Sequence, residues 1–417
     1  MKKKYFYNFI ILSLLILSLF FLISIIVNHV KQKSINKDLN QIEFDQDLHF
    51  FTAHIDELNT FNKGLINNEN LQKTSDGIRA KFSTAFKFNE HIYTVLTNGE
   101  IFRFNDFMFE HMGRLDVSNL DGGIMGGMTS AKFIPSLLKN GILVTYSLRT
   151  IKEKKYLFLI TYDFKSFKKI SEYQLTYDDT AQAELGGGMT FDEQYLYLNV
   201  GIAGNAAINE QSMKSQNMKS ILGKTLKIPL TNLLSQHNLN YKIYSLGHKH
   251  IQGLLLSKGS LFGVEHSING GDELNQIFEG KNYGYPLYGY TLTNHTSKTL
   301  WMNVKGNFTE PIFYFSPSIA PADITECPFD GTSNFAYDKC VAVASLAQGK
   351  IIFMNLRQKE SAENFYKNYY VINSIDLKTN SRVRRIFAES KSNVLYYFTD
   401  DLKAFRVKFS EKKDFIH

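Results

Sequence analysis

Residues 247–286, GHKHIQGLLLSKGSLFGVEHSINGGDELNQIFEGKNYGYP, bring together His248, Lys249 and His250, then Glu265, His266, Asp272 and Glu273 with two asparagines and several glycines in one loop. Carboxylate and amide oxygens beside flexible backbone are what a metal and cofactor seat needs, because glycine lets main-chain carbonyls turn toward a ligand. The competing reading of the same residues is an acidic turn that is merely solvated. His248 and His250 stand two apart, a spacing that could put both on one strand face as in a zinc site, but no third ligand follows in sequence. The glycines of DGGIMGGM (121–128) do not form G-x-G-x-x-G ahead of a helix, so tight turns explain them better than a nucleotide site.

The elements that must position these residues read as strands. AFKFNEHIYTVLTNGEIFRFN (85–105) alternates apolar and polar residues around Thr-Asn-Gly, the pattern of a hairpin. Five similar units follow, NGILVTYSLRTIKEKKYLFLITYDF, GGMTFDEQYLYLNVG, LLLSKGSLFGVEH, CVAVASLAQGKIIFMNL and IFAESKSNVLYYFTDDLKAFRVKF. Their spacing, on the order of 50 residues, is that of propeller blades, each a small sheet that cannot bury both faces alone. An aromatic content of 14% suits packing between blades. The reading is an all-β fold, a six-bladed β-propeller over residues 76–412.

Ahead of it, Lys2, Lys3 and Lys4 precede an uncharged apolar run at 5–27, which is long enough to cross a bilayer. With no small-residue cleavage pattern, residues 1–30 read as a retained transmembrane anchor, and the positive-inside bias puts the bulk of the chain on the periplasmic or extracellular side. Residues 31–75 read as a polar stalk. The net charge of +7 belongs to this anchor region: up to Lys37 there are six lysines and no acid, and removing those six from 47 leaves 41 basic against 40 acidic residues. That excludes the electrostatic footprint of a nucleic-acid binder. The two cysteines, Cys327 and Cys340, either form a disulfide or remain buried thiols, and neither has the histidine neighbours of a catalytic or zinc cysteine.

The order of GHKHIQGL, EHSINGGDELNQIFEGKNYGYP and SPSIAP resembles the soluble glucose/sorbosone dehydrogenase family, the aldose dehydrogenases that depend on pyrroloquinoline quinone (PQQ). Its patterns run G-H-R-N-P-Q-G-L, E-H-G-P-x-G-G-D-E-L-N, G-K-N-Y-G-W-P and P-S-I-A-P, and the likeness extends over about residues 80–408. It implies a six-bladed propeller, PQQ and calcium as cofactors, and hydride transfer from an aldose or polyol, with a base taking the hydroxyl proton.

Carried onto this chain, the resemblance puts Glu265, Asp272, Glu273 and Tyr283 at the family's metal-loop positions, with Ser267 and Ile268 replacing a Gly-Pro pair whose carbonyls serve calcium. Glu184 stands where the family has its histidine base, and Gly188 where an arginine follows. A carboxylate is a weaker base than imidazole unless burial raises it. Lys249 and His250 replace an Arg-Asn pair at the cofactor, so a bidentate fork becomes a point charge. Asp121 replaces a glutamine, Ile202 an acid found in some members, and Arg382 and Arg384 match arginines that face the quinone. Two readings follow: a PQQ-dependent oxidoreductase with an altered site, or an inactive propeller that binds a carbohydrate or a protein.

Overall fold

The computed structural model of the chain describes residues 51–58, 80–105, 108–118, 120, 127–176, 186–202, 209–235, 238–267, 270–289, 306–329, 338–359, 369–389 and 392–411. Within them the chain makes one ring of six four-stranded antiparallel sheets. A first strand, β1 (Phe51–Leu58), stands apart in sequence from the rest. The first blade is β2 (Phe82–Phe88), β3 (His91–Leu96), β4 (Glu100–Asn105) and β5 (Met108–Arg114). The second is β6 (Gly127–Ile134), β7 (Ile142–Ile151), β8 (Lys154–Asp163) and β9 (Lys169–Gln174). The third is β10 (Gly186–Phe191), β11 (Tyr195–Val200), β12 (Lys224–Pro229) and β13 (Lys242–Leu246). The fourth is β14 (Ile251–Ser257), β15 (Ser260–Glu265), β16 (Asp272–Ile277) and β17 (Phe313–Phe315). The fifth is β18 (Pro321–Glu326), β19 (Lys339–Ser345), β20 (Lys350–Gln358) and β21 (Tyr369–Lys378). The sixth is β22 (Val383–Glu389), β23 (Val394–Thr399) and β24 (Ala404–Glu411), completed by β1.

Each of the six alternating units falls in a different blade, so the propeller expected from the strand pattern is the observed fold. The boundary differs. Residues 51–58 lie inside the segment read as a stalk, yet they pair with β24 from Phe51↔Glu411 to Leu58↔Ala404 and close the ring. FTAHIDEL does alternate apolar and polar residues at most positions, and its partner strand is at the other end of the chain. Among the described residues no helix is long and apolar enough to cross a membrane, and the run at 5–27 read as an anchor lies outside them.

The core is divided among the gaps between blades. Val95 and Ile101 of the first blade pack with Met128, Leu143 and Tyr162 of the second, and Phe133 stacks on Phe86 with centroids 4.4 Å apart. Five further clusters fill the remaining gaps, the last joining Leu58 and Phe398 to Phe82 and Phe102 across the closure. A fully buried Phe or Leu contributes about 1.5–3 kcal/mol, and here each does so only if the neighbouring blade is in place. Cys327, just after β18, is joined by a disulfide to Cys340 in β19, which decides the question the sequence left open.

The first strands β2, β6, β10, β14, β18 and β22 pack on one another in turn and enclose the central channel. Each has a register shift near its start, at Phe82/Thr84, Met128/Ser130, Gly186/Met189, Ile251/Gly253, Pro321/Asp323 and Val383/Arg385. A bulge re-aims side chains and frees carbonyls from the ladder. Buried Arg385 uses three of these carbonyls: Nε donates to Ser83 at 2.7 Å, Nη1 to Ala322 at 2.9 Å and Nη2 to Thr129 at 3.2 Å. Burial lowers its pKa, and the nearby Asp323 carboxylate opposes that.

Candidate functional site

The segment 247–250 crosses from β13 to β14 and sends successive side chains in different directions. His248 is fully buried: its Nδ1 lies 3.1 Å from Glu265 Oε2, its Nε2 2.8 Å from Ser245 Oγ, and its ring stacks on Tyr283 at 4.6 Å. His250 accepts the Gly186 N–H at Nδ1 (2.9 Å), which puts the proton on Nε2 and turns the Gln252 amide, 2.7 Å away, so that its oxygen faces the ring. The two histidines therefore have separate partners and form no common metal site. Lys249 lies between them, 6% exposed, and donates from Nζ to the Ser267 carbonyl at 3.2 Å.

Glu265 on β15 and Glu273 on β16 are directly paired across the ladder, two carboxylates on one face. Glu265 is held by the backbone N–H of Lys249, by the His250 N–H at 3.3 Å and by His248. Glu273 accepts from Asn275 Nδ2 at 2.9 Å, and that amide also reaches Glu265 at 3.4 Å. Burial, reinforced by the Glu265 charge, pushes the Glu273 carboxyl up to about 8, so it is largely protonated at neutral pH. Asn275 Oδ1 is buried without a partner. Lys249, Glu265, Ser267, Glu273 and Tyr283 line one cavity of about 20 Å³, room for a single water-sized occupant.

Asp272 is bonded to two segments of the fold. One oxygen accepts the Ser267 N–H at 3.0 Å, and the other accepts the Ser318 hydroxyl and the N–H groups of Ile319 (3.0 Å) and Ala320 (2.7 Å). It ties the loop to the SPSIAP segment ahead of β18. The Tyr283 hydroxyl donates to the Gln276 carbonyl and accepts the Phe278 N–H at 2.9 Å, so it too is engaged in the fold.

Arg382 and Arg384 both meet Asp400, a residue that sequence reasoning did not single out. Arg384 bridges it with two bonds of 2.6 and 3.1 Å, and Arg382 adds one of 2.9 Å. Burial alone would raise the Asp400 carboxyl, but the two guanidiniums hold it below the usual range. The sequence suggested two alternating arginines on one face. The bulge between Val383 and Arg385 breaks that alternation and turns Arg385 into the channel. The nearest sequence signal was the third arginine of SRVRR. Glu184, Asp121 and Ile268 lie outside the described residues. Gly188, at the family's arginine position, is closely packed: a Cβ there would stand 3.1–3.2 Å from the backbone of Ile251, Gln252 and Gly253, which would have to give by a few tenths of an ångström.

The fit to the two implied cofactors is uneven. Lys249, Arg384 and Arg382 are cations at the starts of the inner strands of two blades, the donor chemistry an anionic quinone requires. The calcium donors meet at one cavity, but with the Lys249 ammonium on the Ser267 carbonyl they are not open to a metal. Glu265, Asp272 and Tyr283 have their oxygens engaged, Ser267 offers a carbonyl that already holds an ammonium, and Glu273 favours its proton. Among the described residues no group of three or more His, Cys, Asp or Glu side chains could hold a metal ion.

The sequence profile described as "Glucose / Sorbosone dehydrogenase" matches residues 89–406. The chain is 23% identical to "Quinoprotein glucose dehydrogenase B" of Acinetobacter calcoaceticus over 247 residues, covering 46% of this chain and 50% of that protein. It is 25% identical to "Aldose sugar dehydrogenase YliI" of Escherichia coli over 192 residues, covering 43% and 49%. The chain thus spans about half the length of the curated relatives it matches. In structure it is similar to the apo-form of the soluble aldose sugar dehydrogenase from Escherichia coli, with a TM-score of 0.63, 17% identity and coverage of 87% of this chain and 100% of that one. It is also similar to the PQQ-bound form of aldose sugar dehydrogenase from Streptomyces coelicolor, with a TM-score of 0.58, 17% identity and coverage of 86% and 99%.

Proposed function

The chain belongs to the glucose/sorbosone dehydrogenase family, and we propose that it is a PQQ-binding oxidoreductase that oxidises an aldose or a polyol. The observation that carries this reading is the set of cations where inner strands begin, Lys249 before β14 and Arg382 and Arg384 at β22. PQQ, when bound, supplies the two-electron acceptor. Lys249 and Arg384 would hold its carboxylates. His250, with both ring nitrogens engaged by Gly186 and Gln252, fixes the chain beside Lys249 at the start of β14. Glu184 takes the sugar hydroxyl proton, from a position two residues before β10. No step is assigned to calcium, because the donor set does not fit it.

The same proposal places the propeller on the periplasmic or extracellular side, held to the membrane by the run at 5–27. The Cys327–Cys340 disulfide supports an oxidising compartment. The test is sugar-dependent reduction of an artificial acceptor by the full chain loaded with PQQ. Glu184→Gln should lower turnover by roughly 10²–10⁴ while leaving PQQ affinity nearly intact. A wild-type protein that binds PQQ but turns over no aldose or polyol would sink the catalytic reading. A carbohydrate-binding module is then the better account, and the engagement of both Arg382 and Arg384 by Asp400 is the observation that favours it.

A further inference from the structure

The Ser267 carbonyl, which the family resemblance gives to calcium, faces a fixed ammonium in this chain. Lys249 cannot easily turn elsewhere. Its backbone N–H is held by Glu265, its neighbours His248 and His250 are each locked by their own hydrogen bonds, and its side chain is buried. Nζ donates to Ser267 O at 3.2 Å, and Lys249, Ser267, Glu265 and Glu273 line the same small cavity. A divalent ion brought to that oxygen would meet a like charge within hydrogen-bond reach of its own ligand, in a space sized for one small occupant. Of the two carboxylates there, Glu265 is already engaged by four donors and Glu273 by the Asn275 amide.

We propose that Lys249 is the resident cation of this site: its ammonium stands on the Ser267 carbonyl in place of a divalent ion and supplies the charge that receives an anionic ligand, so that anion binding here needs no calcium. The identity of the anion rests on the quinone reading above, whereas the substitution of ammonium for metal does not.

Two measurements on the full chain decide it. Equilibrium dialysis counts calcium per chain in wild type, Lys249→Ser and Lys249→Arg. Lys249→Ser should bind one ion more than wild type, and Lys249→Arg should bind no more than wild type. Titration with PQQ, in chelator and in millimolar calcium, should give wild-type affinities within about threefold of each other. Lys249→Ser should lose about tenfold or more in chelator and regain it with calcium. Lys249→Gln, uncharged and similar in reach, takes both tests if the serine variant does not fold. Equal calcium counts in wild type and the uncharged variant overturn the proposal, as does a tenfold or greater gain in wild-type PQQ affinity on adding calcium. If PQQ binds no variant under any condition, the oxidoreductase reading fails on its own, and the calcium count still decides the role of Lys249.

Discussion

Replacing Arg385 with methionine removes a guanidinium that donates to carbonyls of three other blades, at Ser83, Ala322 and Thr129. Hydrogen bonds from a charged donor contribute about 1.5–3 kcal/mol each, but water entering the channel can satisfy part of what the carbonyls lose. Asp323, whose pKa is raised by burial and pulled back by Arg385, would lose its largest compensating charge. Stranding three buried carbonyls and removing the charge that balances Asp323 should together cost about 3–5 kcal/mol. For a domain of this size it corresponds to a fall of roughly 4–7 °C in melting temperature. Chemical unfolding of wild type, Arg385→Met, Asp323→Leu and the double variant measures it. The double variant should be less destabilised than the two single losses added together, because it leaves neither charge stranded. A loss below about 1 kcal/mol for Arg385→Met, or simple additivity, would show that the three carbonyls do not depend on this side chain.

Three further outcomes are expected. Glu273 titrates at about 8 when folded and near 4.5 when unfolded, so its contribution to stability is fully present below the lower value and is lost as pH rises through the upper one. Glu273→Gln should therefore flatten the decline in melting temperature between those pH values, where wild type loses up to about 1.4 kcal/mol per pH unit through this group. Chains cut to begin at residue 76 should aggregate on size-exclusion chromatography, because β24 then has an unpaired edge, whereas chains beginning at residue 47 should run as a defined folded species. Gly188→Arg, which restores the family's residue, should cost about 1–3 kcal/mol in chemical denaturation, since the backbone of β14 must give way to the new Cβ.

The blades were legible because alternation is a local property, and LLLSKGSLFGVEH or CVAVASLAQGKIIFMNL displays it without reference to the rest of the chain. What was hidden depends on distant partners. β1 looks like part of a polar stalk until β24 is brought beside it. The bonds of Asp272 to residues 318–320, and the meeting of Arg382 and Arg384 with Asp400, join positions that no local pattern puts together. The three arginines of SRVRR show a further limit. A bulge inserts a residue into the count, and no periodicity rule applied to five letters reports it. The metal loop was recognisable by its letters, but whether oxygen atoms are available depends on who already donates to them.

The pairing of Phe51 with Glu411 also sets an order of events during synthesis. Five blades are contiguous in sequence and can form as the chain emerges, but the sixth needs its earliest strand and its latest one together. Until β24 has left the ribosome, β1 has no partner, and the apolar surfaces of Leu58 and Phe82 that meet across the closure lack their cover. Ring closure is thus a late, long-range step, of the kind that slows folding and extends exposure to aggregation. A stop codon between β23 and residue 404 would yield a protein with its strands largely complete and its ring open. Such a product should be found with proteases and chaperones rather than at reduced activity in the soluble pool.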